Sequence, residues 1–449
     1  MPERETSSFE GDLTIRMRRE AAGVSPERIA TLARLAIDRR RRIRALRTSA
    51  VAACLVLVTG GLLATAAVRA GSPRRPHRPA ATTTVPTTTT QLRAPVSRMP
   101  GLVQIMGVAF PTSNHGVVLL QQCWPCQAKT GSYTNWVAVT SDGGASWQVK
   151  QTNLPISGSN QVSFANSSDG WAAGWYTHDG GLTWHQAQVP GGALIGSVST
   201  ADGTVWAESD SCRGQPPAAS CNSLIFTGSA SGSSLTPVAD QPFGSTYAPG
   251  TIVAESGSTA YVDAYGPKGT ELLVTVDGGR SWRTVTSPCP AGDYAPRSLA
   301  VAPNALWQFC QRGITITTPT GTAVKGVPGG KAILARSGNG GRQWTSAAIG
   351  TALVGNLEPW SFTTSWLWTD RLERTTDGGS SWTTVWSASS VPSPGKGQTV
   401  TPEDFSSESA SAAEIPVVIS SKKGSYVVVE RTADAGASWQ PTTISLPDT

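Results

Sequence analysis

Cysteines and carboxylates are the residues through which this chain could do chemistry. Its 449 residues include 7 Cys, 4 His and 30 Asp plus Glu. Cys123-Trp-Pro-Cys126 has the spacing of a redox dithiol, but that activity needs a thioredoxin-like strand and helix, and Val117 to Val139 carries no such pattern. No second pair stands at zinc spacing, so neither a metal nor a cofactor is expected. Cys123, Cys126, Cys212, Cys221, Cys289 and Cys310 instead form an even set. Of their 15 pairings, sequence neighbours make Cys123 with Cys126, Cys212 with Cys221 and Cys289 with Cys310 the economical choice. Two carboxylates suffice to hydrolyse a glycoside, and 23 acids follow residue 100, yet no spacing selects a pair. Serine-nucleophile, His-Glu-x-x-His and phosphate-loop motifs are absent, which leaves no catalytic residue to name. Trp360, Trp366, Trp368 and Trp386 cluster in sequence, either as an aromatic ligand platform or as buried core.

The elements that would hold such residues announce themselves by repetition. Six octets share a hydroxyl residue, Asp-Gly-Gly and a closing Trp: 140–147, 177–184, 275–282, 337–344, 375–382 and 432–439. Their marker residues are Asp142 and Trp147, Asp179 and Trp184, Asp277 and Trp282, Asn339 and Trp344, Asp377 and Trp382, and Asp434 and Trp439. Asp-Gly and Gly-Gly between extended segments encode tight turns, because Gly accepts positive φ and Asp accepts backbone amide hydrogens. Each octet therefore predicts a β-turn whose Trp starts the return strand. Asn339, Gln343 and Ala435 depart from the pattern, and their two turns are expected to be weaker.

These octets resemble the Asp-box, or bacterial neuraminidase, repeats of membrane-anchored and secreted β-propellers. The resemblance extends to sialidases, other glycosidases, sortilin-type receptors and photosystem II assembly factors. It implies an all-β fold in which the boxes join outer strands away from the ligand face, so their Asp residues are structural. A sialidase also needs three Arg to clamp a carboxylate, a Tyr–Glu nucleophile pair and an Arg-Ile-Pro motif. Arg-Ile-Pro is missing here, the propeller region has only ten Arg, and Arg280 and Arg342 lie inside box turns.

Box spacings of 37, 98, 62, 38 and 57 residues leave room for one blade without a box near Ala193 to Ala239. Six boxes plus one predict a seven-bladed propeller, with six or eight blades as the alternatives. At 349 residues the region then allots about 50 to each blade.

Charge divides the chain differently from its overall +6. Residues 1–47 carry +5, residues 48–100 add six Arg and no acid, and residues 101–449 balance at −5, which excludes nucleic acid as a ligand of the folded region. Ser49 to Val68 is an uncharged run of 20 residues behind an arginine-rich stretch, read as a transmembrane signal-anchor helix over 48–69 with its N-terminus cytoplasmic. Residues 70–100 have the Thr- and Pro-rich composition of a disordered stalk. Within the tail, Ser25-Pro26-Glu27 starts an amphipathic helix, a lipid-facing segment or a contact for a cytoplasmic partner of residues 1–47. Arginine outnumbers lysine 28 to 8, pointing to a bacterial source. The expected protein is a single-pass cell-membrane protein with an extracellular, non-catalytic propeller at 101–449. It would bind a protein or glycan ligand or serve as scaffold or sensor. The alternative is a glycoside hydrolase, exo-sialidase-like or other, with a carboxylate pair that the sequence does not mark.

Overall fold

A computed structural model describes residues 98–124, 132–156, 162–209, 212–213, 220–221, 223–243, 248–266, 269–289, 294–312, 316–317, 323–324, 332–349, 356–391 and 397–445. They form nine antiparallel sheets: seven are the blades of an all-β propeller and two are short two-stranded pairs, Cys212–Arg213 with Ser220–Cys221 and Ile316–Thr317 with Ala323–Val324. The blades span 102–151, 162–186, 195–237, 248–285, 294–349, 357–387 and 399–444, numbered here 1 to 7. Each path runs outward from an innermost first strand, and blade 7 adds Ser406–Ser407 beside its second strand. Blade 3 is the one without an octet; its third-to-fourth-strand loop ends at buried Leu235 where the others place Trp.

Middle strands of the blades are apolar runs rather than alternating ones, as in Gly116–Cys123 and Ala413–Ser421. Gly424–Thr432 is likewise buried along nearly its whole length because a neighbouring blade covers each of its faces. Outer strands such as Gln148–Gln151 are polar and exposed. Trp residues on second strands reach forward: Trp171, Trp307 and Trp366 donate Nε1–H to Ala230, Ser361 and Ser409 carbonyls of the following blade. Octet Trp residues reach back, as Trp344 and Trp439 do to the Thr286 and Val385 carbonyls. These five rings thus gain a polar partner on the adjoining blade, which fixes the spacing between them, whereas the indole N–H groups of Trp147, Trp282 and Trp382 are buried without one.

Within each octet the first hydroxyl works twice. Thr140 Oγ1 donates to Asp142 Oδ1 at 2.8 Å and accepts the Gly144 N–H at 2.8 Å, while Asp142 also accepts the Ser146 N–H at 2.9 Å. The same geometry recurs at Thr177, Thr275, Thr375 and Thr432. The two divergent octets keep it. Asn339 Oδ1 takes the Ser337 hydroxyl and the Gln343 N–H, both at 2.9 Å, because one amide oxygen supplies both lone pairs. Ala435 holds the left-handed position at φ +62°. The second glycine has an additional reason to be glycine: a Cβ on Gly436 would lie 2.4 Å from Val385 of the preceding blade.

Innermost strands have no hydrogen-bonded neighbour on the channel side, so side chains stitch them across blades. Ser163 Oγ accepts Thr200 N–H, Ser197 Oγ accepts Ile252 N–H and Ser199 Oγ accepts Ala254 N–H. Blade 7 closes on blade 1 through Ser406 Oγ to Phe110 N–H and through a reciprocal backbone bridge between Met99 and Ser425. No helix among the described residues is long and apolar enough to cross a membrane. The run from Ser49 to Val68, the expected cytoplasmic tail and the expected stalk up to residue 97 lie outside the described residues. Arg98 to Pro100, expected as the end of the stalk, instead belong to the propeller, because Met99 is fully buried in the core and bridges Ser425.

Candidate functional site

The first strands enclose a central channel with a volume of about 840 Å³. Blades 1 to 5 line it with Val108, Val162, Val198, Ile252, Leu299 and small or hydroxyl-bearing neighbours. Its charged groups come from blades 6 and 7: Glu358 on Leu357–Pro359, and Glu403 and Asp404 just beyond Thr399–Pro402. No Arg, Lys or His is among the described residues that line it.

Two of these carboxylates act as clasps between blades. Glu358 Oε2 accepts both the N–H and, at 2.6 Å, the hydroxyl of Ser407, and Ser407 Oγ in turn accepts Trp360 Nε1–H at 2.7 Å. Glu403 Oε2 accepts the Ile105 N–H at 2.6 Å, reaching from blade 7 to blade 1. Asp404 accepts the Phe405 N–H at 2.9 Å, and the Asn356 amide stands between it and Glu358 Oε1.

Burial outweighs those hydrogen bonds. It pushes the Glu358 carboxyl up to about 8, with Asp404 nearby adding to the rise, and Asp404 up to about 6. Glu403 is raised as well, again by burial first. Each side chain is half-buried, so water reaches the channel wall while protein surrounds most of each carboxyl. The arrangement offers one acidic wall against an apolar, hydroxyl-bearing one. It suits neutral or cationic ligand groups, and no cation among the described lining residues is there to pair with a carboxylate.

Sequence-marked residues fall elsewhere. Trp366, Trp368 and Trp386 are buried in the core between blades 6 and 7, and Trp360 alone of the four reaches the channel. The octet carboxylates sit at the outer loops, hydrogen-bonded within their own turns; Asp142, Asp277 and Asp377 are lowered to about 2, chiefly by the Ser hydroxyl four residues on. Cys289 and Cys310 form a disulfide. Cys212 and Cys221 occupy directly opposed positions of a two-stranded pair. Cys123 is disulfide-bonded, and Cys126 lies outside the described residues. Among the described residues no group of three or more His, Cys, Asp or Glu is placed to hold a metal. Glu358, Glu403 and Asp404 escaped the sequence reading, because only the phase of the blades brings 358 and 403 to one wall.

No protein-family model matches the chain, and comparison with curated proteins finds no match. Solved structures do resemble it. A GH74 enzyme from Niastella koreensis is 15% identical over 76% of this chain and 59% of its own, with a TM-score of 0.47. YCF48 bound to D1 peptide is 15% identical over 62% of this chain and 79% of its own, at 0.39. Trypanosoma rangeli sialidase in complex with the inhibitor DANA is 10% identical over 75% and 55%, also at 0.39. The chain thus spans 59% of the length of the GH74 enzyme, and likeness at this level assigns neither an activity nor a ligand.

Proposed function

We propose that this protein is a membrane-anchored, extracellular Asp-box propeller that binds a protein or glycan ligand without transforming it. The observation that carries this reading is the state of the channel carboxylates. Two of the three are occupied in holding neighbouring blades together, and no Arg, Lys or His is among the described residues that line the channel with them. The apolar run from Ser49 to Val68 and the preceding arginines support the anchor and its orientation. The test is a glycan and peptide array probed with residues 87–449, which contain every blade. Saturable binding without turnover is expected; hydrolysis of a glycoside in the absence of array binding overturns the reading.

One observation favours a second reading, glycoside hydrolysis. Glu358 and Asp404 flank Asn356, and burial raises their carboxyls to about 8 and about 6, so the two release their protons over different pH ranges as an acid and a base do. Under this reading Glu358→Gln and Asp404→Asn each abolish hydrolysis of an aryl glycoside while leaving the fold intact. An inactive parent protein removes it.

A further inference from the structure

We propose that the rim where the chain enters the ring, shared by blades 1 and 7, docks onto an anionic lipid surface. Three adjacent strands of blade 1 set Leu102, Cys123 and Tyr133 side by side, since Leu102 pairs with Cys123 and Cys123 with Tyr133. Trp124, one position on, lies at the same end of the sheet but on its other face, its ring against Gly101, where a Cβ would come within 3.1 Å of it. Leu102, Trp124 and Tyr133 are 55%, 55% and 62% exposed, so this sheet end carries apolar and aromatic side chains on both faces that the fold leaves in water.

Basic groups border the same patch. Arg98 donates from Nη1 to Ser421 Oγ at 2.8 Å and lies 5.2 Å over the Tyr426 ring. Exposed Lys422 and Lys423 form the tip of the adjoining hairpin. The entry segment stitches the two halves together: Met99 bridges Ser425, Ser425 Oγ donates to the Gly101 carbonyl at 3.1 Å, and Gln122 Nε2 donates to the Pro100 carbonyl at 3.0 Å. None of residues 98–102, 120–124, 132–135 or 420–426 is acidic, although residues 101–449 as a whole carry a balance of −5. Positive charge is therefore concentrated where the aromatic rings are.

This combination matches a bilayer interface. Trp and Tyr settle at headgroup depth with a wet polar edge, and each lysine near an anionic surface adds attraction. The chain beyond Arg98 chooses lipid over other occupants. Twenty-nine residues separate it from the apolar run, and this stretch contains five Arg and no acid. If the anchored reading holds, a linker of this length raises the local concentration of the rim at the bilayer, so even weak docking is favoured. The inference rests on the anchored reading for its setting, but its test does not.

The test is flotation of residues 87–449 with vesicles of equimolar phosphatidylcholine and phosphatidylglycerol, against phosphatidylcholine alone. This fragment keeps all seven blades and lacks residues 49–68, so the apolar run cannot produce binding; partition of the full chain into membranes tests the anchor separately. Binding to the anionic vesicles is expected, and it should weaken as salt is added. Lys422→Gln and Lys423→Gln should each lower it about fivefold, and Trp124→Ser with Tyr133→Ser about tenfold or more. Absence of flotation, or rim variants that float like the parent, overturns the proposal. So does a dimer in sedimentation that Trp124→Ser dissolves, because the rim would then be a contact between copies.

Discussion

Glu403 Oε2 and the Ile105 N–H, 2.6 Å apart, join the last blade to the first at the wall of the channel. This bond spans 298 residues and falls where Ile105 and Gly107 interrupt the register of the first strand pair. A bulge frees an amide there, and the carboxylate takes it. Removing the acceptor with Glu403→Ala should cost about 1–3 kcal/mol, the range for a part-buried donor left alone. Glu403→Gln keeps an acceptor and should cost less. Urea unfolding of residues 87–449 measures both; equal midpoints for the two variants and the parent would mean that the clasp adds nothing.

Two octet glycines separate backbone freedom from inter-blade space. Gly278 has φ +76° with no atom near its missing Cβ, whereas Gly436 has φ +86° and abuts Val385. Gly278→Ala should cost about 1 kcal/mol for the left-handed backbone, and Gly436→Ala about 1–3 kcal/mol more for overpacking. Ala435→Gly should stabilise the protein by about 1 kcal/mol, because Ala435 already sits at φ +62°. Thermal midpoints rank the three.

Buried carboxyls set the response to pH. Burial holds Asp263 and Glu430 at about 7, alongside Glu358 at about 8 and Asp404 at about 6. Unfolding returns them to about 4, so the folded state binds more protons between about pH 4 and 8 and stability falls as pH rises through that window. The octet residues Asp142, Asp277 and Asp377, lowered to about 2, act oppositely, and the stability they contribute is lost as pH falls from about 4 to about 2. The melting temperature should therefore peak near pH 4–5, and Asp263→Asn should flatten its alkaline limb. A peak above pH 7 contradicts this assignment.

Reduction has a defined target. The disulfide between Cys289 and Cys310 ties the segment after blade 4 to the second strand of blade 5 across 21 residues. Replacing both with Ser should cost about 2–4 kcal/mol, most of it from added freedom in the unfolded chain. Denaturant titration of the double variant and of the parent, both without reductant, checks the value.

The sequence made the blades readable because each octet is self-sufficient: Thr140, Asp142 and Gly144 satisfy one another within five residues, so pattern alone identifies the turn. The empty slot near Ala193 was legible for the same reason, as a missing beat in a regular series. Cys289 and Cys310, neighbours among the cysteines, were likewise paired by spacing. The channel was not legible. Glu358 meets Ser407 across 49 residues and Glu403 meets Ile105 across 298, and nothing local to any of them differs from the other acids. The cluster of Trp366, Trp368 and Trp386 was ambiguous because a Trp-rich strand reads alike whether a ligand or another blade covers it.

The hydroxyl of Ser425 and the carbonyl of Gly101 lie 324 positions apart along the chain, yet touch in the finished molecule. Synthesis delivers Gly101 long before Ser425 exists. Until the final hairpin arrives, the sheets already made form an open arc whose two end sheets each keep one apolar face uncovered. A ribosome that stalls anywhere before that hairpin would release such an arc rather than a smaller working molecule, and such arcs are what quality-control proteases should find first.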